Sequence, residues 1–93
     1  MSNVYSTRIH DAVRKSANPM TQQVFDSIVD NIDFYSSRRR LFYREGGGTY
    51  GAGIVMGQCA ILCQLLNDEG GDFNGPNTCR ALVEEYASRA IIC

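Results

Sequence analysis

Four guanidinium groups fall within seven residues of this chain, on Arg38, Arg39, Arg40 and Arg44, with Phe34, Tyr35, Phe42 and Tyr43 set among them. Guanidinium groups hold phosphate or carboxylate through forked hydrogen bonds. Aromatic rings stack on bases or on Arg itself. The combination fits contact with an acidic protein surface or a nucleic-acid strand, with Arg38, Arg39, Arg40, Arg44, Tyr35 and Tyr43 as the contact residues. The plainer account is structural. Arginines that end a helix offset its macrodipole, and Asp26, Asp30 and Asp33, spaced along one side of the preceding helix, are nearby partners.

Directly downstream, Gly46-Gly47-Gly48-Thr49-Tyr50-Gly51 spells G-x-G-x-x-G. A dinucleotide site would need a buried strand before this run and a second strand carrying an acidic residue after it, and neither pattern is present. Two readings remain. One is a hinge between helices. The other is an anion-accepting loop of Gly47, Gly48, Thr49 and Gly51 at the start of the next helix, suited to phosphate or a nucleotide.

The other reactive side chains do not converge in sequence. Cys59 and Cys63 are four apart, but a zinc site needs further ligands, His10 is the only histidine, and no C-x-x-C pair exists. Cys59, Cys63, Cys79 and Cys93 therefore read as small hydrophobes, with free thiols in a reducing, cytoplasmic compartment. His10 beside Asp11 reads as a surface histidine, because neighbours in a helix do not face each other. The spacing of Asp68, Asp72 and Asn74 fails the calcium-loop pattern. Asp72 to Gly75 is a turn, with Phe73 either folded onto the core or left out as an anchor for a partner. No catalytic residues, metal or cofactor are expected.

Four helical patterns must position these groups. The first runs from about Asn3 to Ser16, with Val4 or Tyr5, Ile9, Ala12, Val13 and Ala17 at helical spacing on one side. Asn18-Pro19 opens the second, since Asn caps free N–H groups and Pro suits the first helical position. Its apolar stripe is Met20, Val24, Phe25, Ile28, Val29, Ile32 and Tyr35. The third, about residues 52–67, is apolar almost all round and should be central. Asn67 to Gly71 ends it. The fourth opens near Gly75 to Asn77 and has Cys79, Leu82, Val83, Tyr86, Ala90 and Ile91 as its apolar side, with Arg80, Glu84, Glu85 and Arg89 facing water. The expected fold is all-α, a bundle of three to four helices around the third. A short hairpin at about 41–51 would make it α+β instead.

Gly53 and Gly57 lie one turn apart on the third helix. Small residues at this spacing let another helix approach closely. The approach is expected from within the chain, or else from a second copy in a homodimer through the Gly53/Gly57 face.

With 93 residues, the chain suits one domain, residues 1–93. Nine basic and ten acidic residues leave a net charge of −1, which argues against general nucleic-acid binding and leaves charge-driven function to local clusters. No apolar run is long enough to span a membrane. The expected function is that of a non-enzymatic interaction protein, an inhibitor, adaptor or regulatory subunit of the kind common among phage and mobile-element accessory proteins. Its partner would be a protein met by the Arg/aromatic segment. Nucleic-acid binding by the same arginines, and phosphate or nucleotide binding at the start of the third helix, are the alternatives.

Overall fold

Pro19 is the first helical residue of its segment, and Asn18 turns its side-chain oxygen onto the Met20 amide at 2.9 Å. The N-terminal cap read from the sequence is thus formed. The computed structural model describes residues 4–36 and 50–90. Within them the chain makes four helices and no strand: α1 Val4–Lys15, α2 Pro19–Ser36, α3 Tyr50–Asp68 and α4 Gly75–Ala90. The protein is a small all-α bundle. Of the hairpin alternative, residues 41–49 lie outside the described residues, whereas Tyr50 and Gly51 are helical.

The end of α3 follows from its glycines. The Gly71 amide donates to the Leu66 carbonyl and the Gly70 amide to that of Asn67, both at 3.0 Å. Gly70 has φ +95°, the left-handed geometry that this C-terminal motif requires and glycine adopts without a Cβ penalty. A Cβ on Gly71 would come within 2.9 Å of the Leu66 carbonyl oxygen and 3.0 Å of the Phe73 ring. The chain can therefore turn here only because this position has no side chain. Asn67 then clamps the turn, donating to the Phe73 carbonyl at 2.8 Å and accepting from its amide at 2.9 Å. Phe73 is folded onto the core, edge-on to Tyr5 and covered by the Arg8 guanidinium, 5.0 Å from its ring centre.

α3 packs against α2 and α4, and α1 closes the bundle against α4 and α2. Ile9, Phe25, Ile28, Ile32, Val55, Leu62, Leu66 and Leu82 form the interior. Each such side chain contributes about 1.5–3 kcal/mol through burial. The α2 stripe is as the spacing predicts from Val24 onward, but Met20 is exposed and Thr21 takes the buried place. Thr21 sits at the entry to α2, its hydroxyl 2.9 Å from that of Ser16. Glu69 crosses from the end of α3 to accept from the Ser16 hydroxyl and the Ala17 amide. The short α1–α2 connection is thereby tied to the α3–α4 turn. No described helix is long and apolar enough to cross a membrane.

Candidate interaction surface

Two regions hold side chains whose placement differs from what their residue types suggest: a polar seam between α1 and α4, and the outer side of α3. In the seam, Ser6 and His10, one turn apart on α1, converge on Glu85 of α4. The Ser6 hydroxyl donates to Glu85 Oε1. His10 Nε2 lies 3.0 and 3.2 Å from the two carboxylate oxygens, and the Tyr86 hydroxyl is 3.3 Å from the same nitrogen. Phe25 meets the imidazole edge-on, with ring centres 5.2 Å apart.

This corrects two expectations. His10 is half-buried and partnered rather than a solitary surface histidine, and Glu85 turns inward instead of facing water. The signal was weak because the partners are 75 residues apart; only the periodicity of α1, with Ser6 and His10 on the same side as Ile9 and Val13, hinted at it. A serine, a histidine and a carboxylate together invite a catalytic reading, but the order is wrong. The carboxylate stands in the middle, the serine bonds to it rather than to the imidazole, and Ser6 is only 2% exposed. A nucleophile needs the base in direct contact with its hydroxyl and an open approach. The seam is a hydrogen-bonded fastening of α1 onto α4.

A second polar link joins α2 and α3. Asn31 donates to Gln58 Oε1 at 2.7 Å, and Gln58 donates onward to the Ser27 hydroxyl at 2.8 Å. Both ends of the Gln58 amide are satisfied, as a partly buried amide requires.

The outer side of α3 is different. Its inward residues Val55, Cys59, Leu62, Cys63 and Leu66 are buried, as expected for the central helix. The opposite side, carrying Gly53, Gly57 and Gln64 flanked by Ile54 and Ile61 on one edge and Met56 on the other, is exposed, and Ala60 borders it where Gly75 at the start of α4 comes close. Ile61 is 52% exposed, Met56 39% and Ile54 36%. A Cβ added to Gly53 or Gly57 would meet no described atom within 4 Å. The expected approach of another part of the chain over these glycines is not supplied by any described residue. The side carries exposed aliphatic side chains beside two glycines, and no charged residue occurs from Tyr50 to Asn67.

Of the residues singled out for binding, Tyr35 is half-buried near the end of α2, edge-on to Phe34 with ring centres 4.9 Å apart. Gly51 lies in the first turn of α3. Arg38, Arg39, Arg40, Tyr43, Arg44, Gly47, Gly48 and Thr49 lie outside the described residues. Asp26, Asp30 and Asp33 are exposed along α2, and Asp26 accepts from Gln22 at 2.8 Å. Arg14 of α1 pairs with Asp11 at 2.6 Å and Arg8 reaches the Asp72 carbonyl, so these two α1 arginines are engaged elsewhere. Among the described residues, no group of three or more His, Cys, Asp or Glu side chains is placed to hold a metal ion.

The site and fold define a class, an all-α bundle whose described residues make four helices and leave one aliphatic helix side without a described neighbour, and nothing narrower. Compared with family models, with curated proteins and with solved structures, the chain matches none.

Proposed function

We propose that the chain is a non-enzymatic interaction protein, of inhibitor, adaptor or regulatory type, that binds an acidic protein surface. The observation carrying this reading is the side of α3 that no described residue covers. Isolated exposed aliphatics are ordinary, but a contiguous set beside open glycines is the pattern of a contact surface. The run of Arg38, Arg39, Arg40 and Arg44 immediately precedes α3 in sequence. It supplies the charge that the helix lacks, which is why the partner is assigned an acidic surface with an aliphatic patch. Charge of this kind raises association rates and selects partners, while apolar contact supplies most of the affinity. The polar clusters elsewhere support the same reading, since their hydrogen-bonding groups are spent on holding helices together.

The test compares bait variants in capture from the native host with quantitative mass spectrometry. Replacing Arg38, Arg39 and Arg40 with Ala, or Ile61 with Asp, should each remove the same captured protein while the circular dichroism helix signal stays unchanged. Replacing Asp30 with Asn should leave capture intact. Capture that survives both of the first two changes rejects the assignment. Nucleic-acid binding is the other outcome the arginines allow. It requires a gel shift that weakens steeply with salt, and no shift at low salt removes it.

A further inference from the structure

The turn that feeds α4 ends in Asn74-Gly75, an asparagine followed by a residue with no side chain. Asn74 is exposed and caps the helix. Its side-chain oxygen accepts from the Asn77 amide at 2.8 Å, and its backbone carbonyl accepts from the Thr78 amide at 3.0 Å. Gly75 is the first residue of α4, so no helix carbonyl lies one turn before it to engage its N–H. An electrophilic carboxamide carbon and an amide nitrogen outside the helix ladder thus stand on adjacent residues, where joining them closes an imide ring. The other asparagines lack this combination. Asn3 precedes Val4, whose branched Cβ crowds the nitrogen. Asn18 precedes Pro19, whose nitrogen carries no hydrogen. Asn31 and Asn77 lie inside α2 and α4, where the following amide is held in the helix ladder. Asn67 lies inside α3, its carboxamide held at both ends by the Phe73 backbone.

We propose that Asn74 is a site of spontaneous covalent modification, its carboxamide cyclising onto the Gly75 nitrogen and hydrolysing to aspartate and isoaspartate. Base removes the Gly75 amide proton, and the nitrogen attacks Asn74 Cγ. The charge that develops on Oδ1 falls where the Asn77 N–H already donates, and a donor in that position stabilises an oxyanion. The Cγ–Nδ2 bond breaks, ammonia leaves with a proton from solvent, and a succinimide joins the two residues. Water then adds to one of its two carbonyls and the ring opens. In total one water is consumed and one ammonia released. Opening at Cγ gives aspartate, which keeps the cap and places a negative charge at the positive end of α4. Opening at the backbone carbonyl gives isoaspartate. The chain then runs through the former side chain, one methylene longer, and the carbonyl that receives the Thr78 amide becomes a free carboxylate. That product loosens the start of α4, where the Asn74 amide donates to the Tyr5 hydroxyl of α1 at 3.1 Å.

The test incubates the folded full chain at pH 8 in water enriched in heavy oxygen. The protein is digested at acid pH, where the digestion adds no further reaction, and each asparagine peptide is read by mass spectrometry. The expected result is heavy oxygen gained at Asn74 before any other asparagine, with isoaspartate at that position labelled by an isoaspartyl methyltransferase. Gly75→Ala should slow the reaction at Asn74 at least several-fold, because the methyl group hinders approach of the nitrogen to Cγ. This variant should fold, since its Cβ would lie 3.6 Å from the Cα and Cβ of Ala60, an ordinary packing distance. Reaction first at another asparagine, an equal rate in Gly75→Ala, or reaction at Asn74 only after urea unfolds the chain would each overturn the proposal.

Discussion

The α1–α4 seam and the outer side of α3 invert the usual distribution of residue types, and the inversion separates fastening from binding. In the seam a serine, a histidine and a glutamate are drawn out of water, and each finds its partner within the chain. On α3 three aliphatic side chains are left in water beside two glycines that no described atom approaches. Buried polar groups are tolerated when their hydrogen bonds are made, so the seam needs no external partner to explain it. The apolar patch beside Gly53 and Gly57 has no such partner among the described residues, and the proposed function assigns its partner to another molecule.

The largest effect should come from two adjacent residues on α3. Leu62 is fully buried, and Ile61 is half in solvent. Leu62→Ala should destabilise the fold by about 2–5 kcal/mol, the usual cost of losing buried methyl groups and leaving a cavity. Ile61→Ala should change stability by less than about 0.5 kcal/mol, as surface substitutions do. Urea unfolding followed by circular dichroism measures both. A large loss from Ile61→Ala would mean that the outer side is covered in the free protein, and the contrast with the seam would disappear.

Next in size is the seam itself. Glu85→Ala removes the acceptor of the Ser6 hydroxyl and the partner of His10, and should cost about 1–3 kcal/mol because Ser6 is left buried without it. Ser6→Ala alone should cost less, since it takes the donor away along with the need for an acceptor. In a double-mutant cycle the two changes should couple by more than about 0.5 kcal/mol. Additive effects would show that the seam is not a fastening.

A smaller effect concerns alkaline pH. Burial pushes the Cys63 thiol above its ordinary value of about 9, with the Thr78 hydroxyl pulling the other way. The shared hydrogen bond with Cys79, and then burial, push the Cys59 thiol up as well. A thiol held up in the folded state is ionised first in the unfolded chain. Its contribution is therefore complete below about pH 9 and is lost as pH rises through the folded value. Under reducing conditions the urea midpoint should fall from pH 8 to pH 10, and Cys63→Ala should flatten that fall even though it lowers the midpoint at pH 8. An equal fall in both proteins would assign the alkaline loss to other groups.

The two regions were unequally legible in the sequence. Helix order, the Asn18-Pro19 start and the Gly70-Gly71 stop could be read directly, because they depend on local backbone chemistry. The core of α2 followed from its periodicity, except where Thr21 replaced Met20. The seam was not legible, because its chemistry depends on pairing α1 with α4 across nearly the whole chain. The outer side of α3 was not legible for a related reason: the pattern of a helix apolar almost all round leaves open whether its neighbour comes from the same chain or a second copy, and no described residue approaches Gly53 or Gly57.

The smallest and sharpest prediction falls on Gly57. Glycine inside a helix costs roughly 0.5–1 kcal/mol relative to Ala through backbone entropy, and nothing among the described residues lies where the new methyl group would go. Gly57→Ala should therefore stabilise the free protein by up to that amount, read as a higher urea midpoint. The same methyl group stands on the surface beside Ile54, Ile61 and Met56 that a partner is proposed to contact, so capture should weaken at the moment stability improves. A structural role for the glycine predicts the opposite sign for stability, and a solvated, functionless surface predicts no change in capture. A gain in one measurement with a loss in the other is the signature of a position kept small for another molecule.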